Sequence, residues 1–149
     1  MKEGLKFKGS AIIERRTKDG KILDREEVNN LVVNTGKQAI AEGTALTAFN
    51  YIGLGTDATG ALATDTELGT QVKREVCQSG SPAYETDYKT TFEKTFTFGS
   101  GESYAIVEAG LFDTSGSGAI MFDRLTFTAK NVDADTDLYV KITITVASA

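Results

Sequence analysis

Histidine is absent from the 149 residues, and this absence excludes more chemistry than any other feature of the composition. Without it there is no His-assisted Ser or Cys nucleophile and no histidine-ligated metal site. The single cysteine, Cys77, excludes an internal disulfide and thiolate zinc or iron–sulfur sites. Carboxylate chemistry and the binding of hard cations stay open.

Long hydrophobic runs are also missing: no segment approaches the roughly 20 apolar residues of a transmembrane helix. The first residues, Met1 to Lys6, contain no apolar core of a signal peptide. We therefore expect no membrane partner. Hydrophobic residues make up 40% and charged residues 25% of the chain, which is typical of a soluble globular domain. At this length we expect one domain over residues 1–149.

Charge is unevenly distributed along the chain, whose net charge is −5. Residues 1–25 carry a net +4, and residues 26–149 carry −9. The acidic total argues against a nucleic-acid partner. A basic N-terminal arm or hairpin on an acidic β core suggests that the first segment docks on an acidic surface. As an arm or edge strand it would pair with a neighbouring subunit by β-augmentation. Alternatively, its side chains merely flank an edge strand. The candidate docking residues are Lys6, Lys8, Arg15, Arg16, Lys18, Lys21 and Arg25.

Alternation of apolar and polar residues at period two dominates the sequence and predicts strands. It is clearest over 87–98 and 138–146, where Lys94 interrupts the apolar face of the first segment. Segments 104–113 and 119–128 predict a hairpin, and 5–15 with 22–33 predict another that turns at Asp19-Gly20. We expect an all-β fold: a single-domain β-sandwich, jelly roll or β-barrel.

One or two short helices complete this interpretation. Thr35 and Gln38 fit a capping box, which predicts a helix from Thr35 that ends at Gly43. Asp65 is a candidate N-cap for a single turn over 66–69.

Two glycines, Gly53 and Gly55, formally begin a G-x-G-x-x-A motif that ends at Ala58. A dinucleotide site also needs a following helix, and 59–64 is a poor helix start. We instead interpret them, with Gly110, as positions where two chain segments approach closely.

Glu108 lies in an otherwise apolar segment, Ile106 to Phe112. A buried charge is costly unless it is paired, and Arg124 is the natural partner across the predicted hairpin. We predict a structural ion pair between them. A hydrolase would instead use Glu108 with Asp123 or Glu102.

Other candidate sites have simpler interpretations. An EF-hand loop starting at Asp133 is excluded because Leu138 and Ile144 occupy its glycine and glutamate positions. A weaker calcium site at this turn is one interpretation, and a solvated acidic turn is the other.

Cys77 is expected to be a small packed hydrophobe, since a nucleophile would lack its base. Exposed tyrosines of a carbohydrate-binding jelly roll would be Tyr84, Tyr88, Tyr104 or Tyr139, although the chain has no tryptophan.

The order of several segments resembles a widespread family of small β-rich structural proteins of tailed-phage virions. The resemblance covers about residues 28–147 and depends on the order and spacing of its segments. They are Asn30 to Ala41, Tyr51 to Thr56, Ala63 to Gly69, Glu108 to Phe112 and Arg124 to Phe127. The segment before Glu26 falls outside this pattern.

The resemblance implies a non-enzymatic virion component without a cofactor, made in the host cytoplasm. A capsid decoration (cement) protein on the outer head surface is favoured, because the sequence has no coiled coil, collagen-like repeat or β-helical shaft. A tail-tip, baseplate or tail-fibre module is the alternative. The implied partners are the major capsid protein or tail proteins of the same phage and further copies of this chain, as dimer or trimer.

Overall fold

The computed structural model describes residues 5–148, and the side chains of residues 6–147. Residues 1–4 of the predicted 1–25 segment, and residue 149 of the predicted domain, lie outside this range. Within it the chain forms nine strands, one α-helix and one 3₁₀ turn. The elements are β1 (Leu5–Thr17), β2 (Ile22–Val32), α1 (Asn34–Ala41), the 3₁₀ turn (Leu46–Ala48), β3 (Tyr51–Gly55), β4 (Gln71–Val76), β5 (Ala83–Glu85), β6 (Lys89–Phe96), β7 (Tyr104–Phe112), β8 (Met121–Val132) and β9 (Thr136–Ser148).

These strands form one antiparallel sheet in the order β4-β3-β7-β8-β2-β1-β9-β6-β5, and the sheet curls into a half-barrel. The all-β fold class is therefore confirmed. Alternation is consistent with the curl, because one face of β1, β6 and β9 is apolar and packs inside. On β9 the inward residues Leu138, Val140, Ile142 and Ile144 are fully buried. Phe92 and Phe96 of β6 pair with Ile142 and Leu138 in the same rows.

The predicted first helix is present, but its predicted cap is wrong. α1 begins at Asn34 after Val33, with no side-chain cap. The Thr35 hydroxyl instead donates to the Met121 carbonyl at 2.8 Å, which ties the helix to β8. Gly43 has a φ of +101° just after the helix, as predicted for its stop. No helix within residues 5–148 is long and apolar enough to cross a membrane.

The predicted helical turn over 66–69 is also wrong. The Asp65 carboxylate accepts the backbone N–H of Leu62 at 2.8 Å and the guanidinium of Arg124 at 3.1 Å. Both bonds close a compact loop, so the carboxylate is not available to cap a helix that would follow it. The second short helical element is the 3₁₀ turn at Leu46–Ala48.

Of the two forms predicted for residues 1–25, an arm or a hairpin, the described residues form the hairpin. Residues 5–17 form β1, which pairs with β9 along its whole length and with β2 from Gly9 onward. β1 is therefore an interior strand of a hairpin, so most of it cannot add to a neighbouring subunit. The interpretation as an edge strand is wrong, since the edges of the sheet are β4 and β5.

Most of the basic residues predicted to dock are bound within the chain. Arg15 contacts Asp24 at 2.7 Å, and Lys18 contacts Asp137 at 2.6 Å. Arg16 and Arg25 both contact Glu14, at 2.5 and 3.4 Å. Lys6, Lys8 and Lys21 are exposed and form no ion pair among the residues described.

The two halves of the sheet meet where β2 reaches β8, and this junction is largely polar. Only Leu31 and Val32 pair with β8. Farther along, the Glu26 carboxylate accepts the N–H of Thr128 and contacts Lys130 at 2.7 Å. Side chains thus substitute for ladder bonds that the diverging strands cannot make.

A second polar seam lies where the curl brings β4 towards β6. The N–H of Gln78, just after β4, donates to the carbonyl of Glu93 on β6 at 2.9 Å. Lys94 contacts Glu75 of β4 at 3.5 Å. This contact explains why a lysine interrupts the apolar face of β6.

Close packing of α1 on β8 predicts that Gly36→Ala destabilises the protein. An added Cβ would lie 2.7 Å from the Cα of Phe122 and closer still to its carbonyl oxygen. We expect a loss of about 1–3 kcal/mol in unfolding free energy from overpacking, although alanine favours helices. Urea denaturation measures it. Gly60→Ala is the control, because nothing lies within 4 Å of its added Cβ, and an unchanged Gly36→Ala midpoint would contradict the packing argument.

Candidate functional site

Glu108 and Arg124 lie together on the outer face of β7 and β8, beneath the loop of residues 56–70. Arg124 Nε is 3.0 Å from Glu108 Oε1, so the structure contains the ion pair predicted from the sequence. Glu108 is 0% and Arg124 3% exposed. Register places Glu108 opposite Gly55 of β3, and Arg124 opposite Gly110 of β7. The pair is therefore diagonal across the β7–β8 hairpin.

Three backbone N–H groups of the loop also converge on the Glu108 carboxylate. Gly69 donates to Oε1 at 2.9 Å, while Thr70 and Asp57 donate to Oε2 at 2.9 and 3.0 Å. Each carboxylate oxygen thus accepts two hydrogen bonds when Arg124 is included. A buried charge is costly unless its hydrogen bonds are made, and here both oxygens have partners.

Arg124 extends the same network to the middle of the loop. Its Nη1 donates to the Asp65 carboxylate at 3.1 Å, and its Nη2 donates to the Asp57 carbonyl at 3.3 Å. The loop is therefore held at both ends and at its centre by two side chains of the sheet. We call this set, Glu108, Arg124, Asp65 and the bonded amides, the loop clamp.

The three glycines predicted at close approaches lie on the same outer face and make room for the loop. An added Cβ on Gly53 would lie 2.8 Å from the Phe112 ring and 3.2 Å from Leu68. On Gly55 it would collide with the Glu108 carboxylate and lie 2.5 Å from the Thr70 carbonyl. On Gly110 it would lie 2.6 Å from the Asp123 carbonyl. Any larger residue would push the loop, or a neighbouring strand, away.

Within the loop clamp, both oxygens of the Glu108 carboxylate are bonded to groups of the chain itself. The backbone N–H groups that a glycine-rich loop would offer to a phosphate already donate to the Glu108 carboxylate here. No helix follows the G-x-G-x-x-A stretch; the chain continues as the loop to β4. No group of three or more Cys, Asp or Glu side chains within the described part is placed to hold a metal ion.

The acids named as possible partners of Glu108 in hydrolysis do not form an accessible pair with it. Asp123 is 0% exposed, like Glu108 itself. Glu102 accepts the N–H of Gly99 at 2.6 Å and contacts Lys73 at 3.4 Å, near β4. A sugar ring would need one open carboxylate on each side of the scissile bond, and neither Glu108 nor Asp123 is open.

Asp123 is a buried acid whose role the sequence analysis missed. Its carboxylate accepts the Leu111 N–H at 2.9 Å and the Asn30 side-chain amide, at the junction of β2 and β8. Burial raises its pKa to about 7, partly opposed by the bond from Leu111. Its position in the sequence could have indicated this burial. Asp123 lies two residues before Leu125 and four before Phe127, and both of these face the core.

Cys77 and the tyrosines have distinct environments. The Cys77 thiol is buried, and burial raises its pKa to about 11, which suppresses the nucleophilic thiolate. Tyr139 lies under the Arg16 guanidinium at 4.0 Å, and Tyr104 packs on Phe98. Only Tyr84 and Tyr88, 69% and 73% exposed, are open among the four tyrosines proposed as stacking platforms.

Replacing Glu108 by glutamine is expected to release the loop. The amide cannot satisfy both Arg124 and the three N–H groups, and breaking a buried pair costs about 3–5 kcal/mol. Urea denaturation measures the loss, and hydrogen exchange of the Asp57, Gly69 and Thr70 amides localises it. Glu67→Gln, an exposed change in the same loop, is the control. Unchanged exchange at those three amides would contradict the loop clamp.

Stability should fall as the pH rises from about 4 to 7 because of Asp123. Over this range the folded carboxyl keeps its proton, while the unfolded one, with the ordinary value of 3.8, has lost it. The expected contribution is up to about 1.4 kcal/mol per pH unit. Asp123→Asn removes this slope because an amide does not titrate, and its oxygen can still accept the Leu111 N–H.

The measurement is urea denaturation at pH values of about 4.5, 6 and 7.5. Exposed Asp133→Asn is the control and should keep the wild-type slope. If Asp123→Asn and the wild type had the same slope, the buried carboxyl would not be the group that titrates.

Comparison with protein-family models, curated proteins and solved structures finds no match to this chain.

Proposed function

We propose that this protein is a non-enzymatic structural protein of a tailed-phage virion: a capsid decoration protein that binds the outer surface of the head shell and stabilises it. The proposal takes its class of protein from the order of segments that includes Glu108 to Phe112 and Arg124 to Phe127. The all-β fold, with one short helix, is compatible with that class.

The loop clamp is the observation that best supports a structural role. Glu108 and Arg124 would be the natural reactive groups of an enzyme, yet all their strong bonds are made within the chain. Their effect is to fix the conformation of an exposed loop, whose Leu62 side chain is 59% exposed. A loop ordered in advance loses less entropy when it binds a partner. This suits a protein that works by adhesion.

Exposed apolar side chains elsewhere also suit adhesion to several neighbours. Val76 ends the edge strand β4, while Tyr84 and Tyr88 lie at the opposite edge of the sheet. Such residues are typical of interfaces, where tyrosine is enriched. Weak contacts repeated by the symmetry of a particle add up to stable attachment.

Purified protein mixed with undecorated heads, or with tails, of its phage tests the proposal by cosedimentation. We expect saturable binding to heads, competition by excess unlabelled protein, and heads that resist heating better. Electron microscopy of the intact particle then locates the subunit. Binding to tails alone would move the assignment to a tail module, and binding to neither particle part would overturn it.

A further inference from the structure

The hairpin β1–β2 opens into a fork at one end. Gly9 pairs with Asn30, but the next residues of β2, Leu31 and Val32, turn away to pair with β8. Residues 5–8 of β1 continue to pair with β9 alone. A short stretch of an otherwise interior strand therefore has an open side.

Backbone groups of Phe7 point into this fork. Phe7 is opposite Val146, whose N–H bonds to the Tyr88 carbonyl on the β6 side at 3.1 Å. In an antiparallel ladder, the N–H and C=O of one residue point to the same side, and opposed residues of such a pair point away from each other. The N–H and C=O of Phe7 thus face the fork, where residues 5–148 supply no hydrogen-bond partner.

The side chains of the fork are basic above an apolar floor. The fork forms a groove of about 380 Å³ lined by the apolar residues Phe7, Leu31 and Val32 and by Lys8 and Lys37. Asn29 and Asn30 also line it, and no carboxylate of the described residues does. Lys8 and Lys37 are exposed and make no ion pair within the described residues, whereas four of the seven residues predicted to dock are paired.

We infer that this fork binds an extended acidic segment of a neighbouring particle protein, which adds a short strand to the open side of β1. Backbone bonds to Phe7 would fix the register of the segment. Alternate side chains would point to the apolar floor and to the lysines, since successive residues of a strand face opposite ways. The inference deepens the proposed function and depends on it for the identity of the neighbour.

Charge complementarity argues for this occupant. Lys8 and Lys37 line the groove and no carboxylate of the described residues does, so the groove is complementary in charge to an acidic segment. Because β2 pairs with β1 from Gly9 onward, a further strand can add only to residues 5–8 of β1.

Amide NMR with a capped pentapeptide of alternating glutamate and valine tests the fork without any particle. We expect saturable shifts centred on Phe7, Leu31 and Lys37. Lys8→Glu and Lys37→Glu should each weaken binding about fivefold, the effect of one exposed charge pair. Lys21→Glu is the matched control, because Lys21 is an exposed lysine at the other end of the same hairpin.

Several results would overturn the inference. They are equal binding of a pentapeptide with lysine in place of glutamate, equal weakening by Lys21→Glu, or no shifts at the fork at millimolar peptide. Concentration-dependent shifts of the same amides without peptide would assign the fork to a second copy instead.

Cosedimentation with heads separates this inference from the proposed function. If wild type and Lys8→Glu bind heads equally, the proposed function stands and the fork is not the docking site. If the peptide binds the fork but the wild type binds neither heads nor tails, the acidic segment belongs to a partner outside the particle and the virion assignment fails.

Discussion

The buried ion pair between Glu108 and Arg124 is the interaction on which the outer face of this protein depends. Removing two charges from water costs several kcal/mol per ion, so a buried pair adds little net stability by itself. Here the cost is offset by backbone N–H groups from loop 56–70, which would otherwise lack partners under the loop. The glycines at 53, 55 and 110 are required by the same arrangement, because they let the loop lie against the strands.

Polar side chains also decide how the sheet curls. At the β2–β8 junction the strands diverge after two paired residues, and Glu26 and Lys130 fill the gap. At the other seam, Lys94 and Glu75 link β6 to β4. Both seams replace the regular ladder with directional side-chain bonds, which fix where the sheet bends. The fork at residues 5–8 is a consequence, since β2 cannot pair with β8 and still follow β1 to its end.

The proposed function depends on the surface of the molecule. The two most deeply buried acids, Glu108 and Asp123, lie in the interior and form hydrogen bonds there. What stays outside is an ordered loop, two sheet edges and a small basic groove. In the proposed function, these are the features through which the protein would attach to other proteins.

The sequence by itself determined the local structure. Alternation identified the strands around Phe92, the hairpin that contains Glu108 and Arg124, and the all-β class, because period-two patterning is a property of neighbouring residues. A lone charge in an apolar strand was enough to predict its partner. Only the tertiary structure decided that β1 is interior, that Thr35 bonds to β8 instead of capping α1, and that Asp65 belongs to the loop clamp. Each of these depends on contacts between residues far apart in the chain, and strand order and register select those partners in ways that no local pattern encodes.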